Sequence, residues 1–185
     1  MSLVELIAQA DERGLAASGL ACLDRCVPLL GGDDEVLRPL WASLVDGSEW
    51  VAGLEKARGA LGPAQAGEDE AEQLAHRMLD AAPAERTAEA IRAWADACSV
   101  ASLRIHRLLD PAAGGSSSAD GPDTGREGGA ADASPLVAAE LRRQVTVLEL
   151  LAEHGSNGLR RALDVSVEGR RVLQAVVSRR ARSRG

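Results

Sequence analysis

Cys22 and Cys26 lie four residues apart, the spacing that brings two side chains onto one face of a helix. Two thiolates so placed could share a zinc ion. The remaining ligands would have to come from Cys98 or from His76, His106 and His154, and none of these stands at a recognisable ligand spacing. Cys22 and Cys26 are interleaved with Leu23 and Val27, so the expected role is that of small apolar side chains in a core. No metal and no disulfide is expected to hold the fold. His106 follows Ile105, and His154 precedes Gly155 at a helix end, where a cation is favourable without any catalytic role. Glu68, Asp69, Glu70 and Glu72 could offer paired carboxylates for acid–base work, but acids in a first helical turn have a simpler use against the macrodipole. There is no nucleophile-elbow serine, no glycine-rich phosphate loop and no His-Glu-x-x-His. No catalytic residue, metal ligand or cofactor is therefore assigned, and no enzyme is expected.

Two residue classes remain that could carry binding. The three Trp are the whole aromatic complement, and Trp41, Trp50 and Trp94 each fall on an apolar helical face. Core filling is the default for them, while a partly exposed Trp would anchor an interface. The second class is arginine. Every base after residue 135 is Arg, in the pairs Arg142-Arg143, Arg160-Arg161, Arg170-Arg171 and Arg179-Arg180, with Arg182 and Arg184. Arg160, Arg161, Arg170, Arg171, Arg179 and Arg180 are the candidate contacts to nucleic acid or to an acidic partner.

The run Leu148-Glu149-Leu150-Leu151-Ala152-Glu153-His154-Gly155, followed by Leu159 and by Leu163-Asp164-Val165-Ser166, resembles the helix-turn-helix part of a winged-helix repressor. Asp164 stands where that pattern has Gly, and Arg160 where it has a small packing residue. The resemblance implies a turn at Leu163–Ser166 and a recognition helix over 167–180, which would enter a DNA groove.

These residues need helices to position them. With no Phe or Tyr and abundant Ala and Leu, the composition favours helix over strand. Ser2 and Glu5 form a capping box ahead of Leu3, Leu6, Ile7 and Ala10, with Gly14 as the expected stop. A second helix carries Leu20, Leu23, Val27 and Leu30 and is interrupted at Pro28. Asp33 or Asp34 is expected to cap a third, through Leu37, Leu40, Trp41 and Leu44. Ser48 is expected to cap a fourth, through Trp50, Leu54, Ala57 and Leu61, and residues 68–82 form a fifth. Over residues 84–110, Ile91, Trp94, Cys98, Ala101, Ile105 and Leu108 alternate spacings of three and four, a heptad-like seam on a helix about 40 Å long. A second seam, Val137, Leu141, Val145, Leu148 and Ala152, follows the helix start Ser134-Pro135. Residues 163–168 alternate like a strand, but Leu159, Ala162, Leu173 and Val176 fit a helical face, and helix is preferred.

The expected fold is an all-α bundle of six to eight helices with a long disordered loop before the C-terminal helices. Residues 1–110 form an acidic bundle with 19 acids and 10 bases, net −9. Residues 111–135, net −3, contain no Leu, Ile, Val, Met or Trp, and read as a disordered linker centred on 112–133. Residues 136–185 carry 10 bases and five acids, net +5, and are expected to pack back on the first part. The whole-chain charge of −7 argues against general nucleic-acid affinity. Without a membrane span or signal-like start, and with an odd number of Cys, the expected location is the cytoplasm. The leading functional expectation is a non-enzymatic helical interaction or regulatory protein that associates with itself, with Trp94, Ile105 and Leu108 as interface candidates. A DNA-binding regulator using residues 156–182 ranks second, and a small-molecule-binding or catalytic bundle third.

Overall fold

Helix α2 (Glu12–Cys26) is buried along one continuous run from Gly14 to Cys26, and most of the other helices pack against it. The computed structural model describes residues 1–111, 126–127 and 133–184, and among these every regular element is helical. The others are α1 (Leu3–Gln9), α3 (Arg38–Asp46), α4 (Trp50–Leu61), α5 (Glu70–Asp80), α6 (Ala88–Leu109), α7 (Pro135–His154) and α8 (Leu159–Ser183). Single 3-10 turns at Val27–Leu29 and Gly155–Gly158 follow α2 and α7. α2 packs against α6, α7 and α8, α5 lies on α6, and α1 reaches α7. The basic C-terminal segment is thus part of the same core as the acidic N-terminal helices.

Local chemistry sets most helix ends. The Ser2–Glu5 capping box is formed, with the Ser2 amide donating to Glu5 Oε2 at 2.7 Å. Asp69 and Glu72 make a second such box at the start of α5, which the sequence reading passes over. Gly14 is not the stop of the first helix: Asp11 accepts from its amide at 2.7 Å, so Gly14 lies in the first turn of α2. The third helix begins at Arg38 rather than at Asp33 or Asp34, with Pro39 in its first turn, and Asp33 instead accepts from the Glu35 amide. Ser48 does not cap α4: Glu49 holds the N-cap position, and the Ser48 amide donates to Asp46.

α6 and α7 run antiparallel. Ser99 meets Gln144, Ser102 meets Glu140, and the Asp110 carboxylate accepts from the Leu136 amide at 2.9 Å. That last bond caps α7 in place of Ser134, whose side chain makes no capping bond. It also brings the two ends of the expected linker together. The linker expectation for 112–133 falls largely outside the described residues. Within it, Arg126 is described: it is buried, with an ion pair to Asp96.

All three Trp are core residues, each with its indole N–H bonded. Trp41 donates to Asp24 at 3.1 Å, Trp50 to the Pro83 carbonyl at 2.7 Å and Trp94 to the Met78 carbonyl at 2.9 Å. Trp50 and Trp94 meet edge to face, with centroids 5.9 Å apart. Gly19 on α2 makes room for this pair, since a Cβ there would sit 2.7 Å from the Trp94 ring.

Candidate functional site

α8 presents two faces, and the inner one is fixed first. Leu159, Ala162, Ser166, Gly169, Arg170 and Leu173 are its buried residues. Arg170 points inward, pairs with Asp24 on α2, and reaches Asp34 at 3.5 Å. Asp24 is almost fully buried. Burial raises its pKa, opposed by Arg170 and by the Trp41 indole bond. Gly169, a poor residue for a helix interior, stands where α8 crosses Arg25: a Cβ would collide with the Arg25 stem and come within 2.9 Å of Arg143 Cδ.

Arg25 and Glu140 form the hub that joins α2 to α7. Both are wholly buried, and the guanidinium grips the carboxylate through two bonds of 2.7 Å. Ser102 donates to Glu140 Oε1 at 2.8 Å and the Gln144 amide donates to the same oxygen at 2.9 Å. Ser99 in turn donates to the Gln144 carbonyl oxygen at 2.6 Å. Burial alone would raise the Glu140 pKa, but Arg25, His106 and these donors reverse that and hold it at about 2. Arg25 is correspondingly raised despite its own burial, by the Glu140 charge. His106 Nε2 lies 3.4 Å from Glu140, and its Nδ1 lies 2.7 Å from the Ser102 carbonyl. Burial lowers the His106 pKa, opposed by the pull of Glu140 and by the bond to the Ser102 carbonyl.

The cysteines border this hub. Cys22 accepts from Arg25 at 3.5 Å, and Cys26 lies 3.9 Å from Ser102 Oγ. Burial pushes the Cys22 thiol up to about 12 and raises Cys26 and Cys98 as well, so all three stay protonated and unreactive near neutral pH. Among the described residues no group of three or more His, Cys, Asp and Glu is placed to hold a metal ion.

The outer face of α8 is basic. Arg160, Arg161, Arg171, Arg179 and Arg182 are exposed. Eleven residues separate Arg160 from Arg171 and Arg171 from Arg182, and eleven residues are close to three helical turns. The three therefore fall in one line about 33 Å long, with Arg161 and Arg179 beside it. At the C-terminal tip, Arg180 and Arg184 bind Asp69 at 3.3 and 3.7 Å, which ties α8 to the start of α5.

The six arginines singled out from sequence thus separate. Arg160, Arg161, Arg171 and Arg179 lie on the outer face, Arg170 is inside, and Arg180 is tied to α5. Leu163–Ser166 form no turn, because α8 continues unbroken from Leu159 to Ser183. The 3-10 segment Gly155–Gly158 is the break that separates α7 from α8. Trp94 and Ile105 are in the chain's own core, at 4% and 0% exposure, while Leu108 is 41% exposed. Most of the α6 and α7 seams faces the other of the two helices and α2, while Leu108 and Ala152 stay exposed. Sequence periodicity did not single out Arg25, Asp24 or Glu140, although Glu140 and Gln144 share a helical face with Leu141 and Leu148.

Compared with protein-family models, with curated proteins and with solved structures, the chain finds no match. No helix among the described residues is long and apolar enough to cross a membrane.

Proposed function

We propose that this chain is a non-enzymatic helical interaction protein that self-associates by laying the outer face of α8 on the acidic surface of a second copy. The observation that carries this is the line of Arg160, Arg171 and Arg182, flanked by Arg161 and Arg179, on a chain whose net charge is −7. Residues 1–110 carry 19 acids against 10 bases, so each copy offers both halves of a complementary pair. α8 is anchored on both sides of that line, by Arg170 on Asp24 and by Arg180 on Asp69, which keeps the arginines in register. A pre-set row of cations loses less entropy on docking than one on a mobile tail.

Sedimentation measured across salt concentrations tests this. The screening length falls from about 10 Å at 0.1 M to about 3 Å at 1 M, so a dimer joined by exposed charges should dissociate over that range. Arg160→Glu combined with Arg171→Glu and Arg182→Glu should give a folded monomer at low salt. A wild-type monomer at low salt and micromolar concentration would refute self-association. The same row of cations could neutralise phosphates, which is the basis of the DNA-binding alternative. Salt-steep binding to duplex DNA, lost in the triple variant, would replace the protein partner with a nucleic-acid one.

A further inference from the structure

Among the described residues α8 has one exposed large apolar side chain, Val172, which is 36% exposed and stands beside Arg171 of the outer row. A single valine in solvent is ordinary. One set beside a row of cations matches a particular kind of surface, an apolar recess with unpaired acids at its rim. The two acidic runs of the N-terminal helices do not qualify. In residues 33–35, Asp34 is taken by Arg170 and Glu35 by Arg38. At the start of α5, Asp69 is taken by Arg180 and Arg184, and Glu70 by Arg104.

The turn between α3 and α4 does qualify. Gly47, at φ +74°, ends α3 in the left-handed region, and Trp50 opens α4 with its ring buried and its indole bonded to the Pro83 carbonyl. That bond draws the turn onto residues 83–86. Beside it is a hollow of about 340 Å³, lined by Glu49, Trp50, Val51, Ala84 and Arg86. Trp50, Val51 and Ala84 make its wall apolar. Val51 is 44% exposed, and Val45, in the last turn of α3, is 65% exposed. Arg86 is the one base in the lining. Its guanidinium carbon lies 5.5 Å from the Trp50 ring centroid, and Glu12 grips it through two bonds, so its charge is matched within the chain. Glu49 and Glu85 are exposed and have no ion pair among the described residues.

We infer, resting on the self-association proposed above, that this hollow seats Val172 of a second copy, with Arg171 of that copy reaching Glu49 and Glu85. The apolar stem of the arginine covers more of the wall while its guanidinium stays at the rim. In a two-fold pair each copy fills the other's hollow. Charge exchange between two variants tests this by sedimentation at low salt and micromolar concentration. Glu49→Arg with Glu85→Arg reverses the rim, and Arg160→Glu with Arg171→Glu and Arg182→Glu reverses the row. Each variant alone should be a folded monomer. An equimolar mixture should dimerise, because each rim then meets a row of opposite sign. Val172→Ser, which leaves every charge in place, should weaken the wild-type dimer about tenfold. A wild-type monomer would remove self-association and the seat together. A rim variant that dimerises like wild type would place the row on another surface, so that the seat is lost and self-association stands. The same follows if the mixture stays monomeric while circular dichroism shows both variants folded, or if Val172→Ser dimerises as tightly as wild type.

Discussion

Arg170 and Arg171 are neighbours in sequence and opposites in the molecule. Arg170 is buried on the inner face of α8 with Asp24 and Asp34 as partners, whereas Arg171 stands in the outer row in solvent. The contrast extends to the whole helix. On its inner face, each charge removed from water has a specific counter-charge on another helix. On its outer face, arginine repeats every third turn beside only two acids, Asp164 and Glu168. Charge therefore does two jobs in this chain. Inside, it fixes which helix lies against which. Outside, it stays in solvent.

The hub should give the largest response. Glu140→Gln leaves Arg25 buried without a counter-charge, and breaking a buried pair in this way costs about 3–5 kcal/mol. Arg25→Met together with Glu140→Leu should lose much less, because no uncompensated charge remains inside. Urea denaturation of the wild type, Arg25→Met, Glu140→Leu and the double variant reads the difference. Equal losses in the single and double variants would show that the pair does not select the packing of α7 on α2.

Acid attacks the same hub. The Glu140 carboxyl falls from its ordinary 4.5 to about 2 on folding. Its stabilisation is then complete above about pH 4.5 and lost as pH falls through about 2, for a total on the order of 3 kcal/mol. His106 is shifted downward by burial, so the unfolded chain takes up its proton first and stability begins to decline already below about pH 6.5. Melting temperature measured from pH 7 to pH 3 should fall throughout, and the slope should flatten in Glu140→Gln.

The two arginines allow a direct comparison of the faces. Arg170→Ala strands Asp24 and should cost about 3 kcal/mol, while Arg171→Ala should stay within about 0.5 kcal/mol. Similar losses from both would erase the distinction between inner and outer face. The smallest effect concerns Gly169. Helix propensity alone predicts that Gly169→Ala stabilises by about 1 kcal/mol. Contact with the Arg25 stem predicts an overpacking cost of about 1–3 kcal/mol. A net loss is expected, and a more stable variant would show that Arg25 has room to move.

Helix identity was largely legible in the sequence because apolar spacing and capping chemistry are local. The α6 and α7 seams and the Ser2–Glu5 box could be read from short windows, whereas residues 163–168 alternate like a strand and only the wider face of Leu159, Ala162, Leu173 and Val176 favoured helix. The register of α3 and α4 was harder, because Asp33, Asp34 and Ser48 are all competent caps and only packing decides which of them a helix uses. The hub was hardest. A charged residue next to apolar ones is normally assigned to solvent, and the partner of Arg25 is 115 positions away. One signal was available: Ser99, Ser102 and His106 recur at helical spacing alongside Cys98 and Ile105, and Glu140 and Gln144 do the same on α7. Polar residues repeating on an apolar face mark a buried network. The heptad seam does not choose its own partner, since spacing of three and four is equally suited to packing inside one chain and between two.

The distances along the chain within this hub also set an order in time. At a synthesis rate of about 10 residues per second, Arg25 leaves the ribosome on the order of ten seconds before Glu140. Asp24 waits longer still, since Arg170 follows it by 146 positions. Throughout that interval the central helix has two charges that cannot be buried. Helices α1 to α6 are therefore kept from closing around α2 until α7 and α8 arrive, and the emergence of Glu140 and Arg170 becomes the event that permits folding.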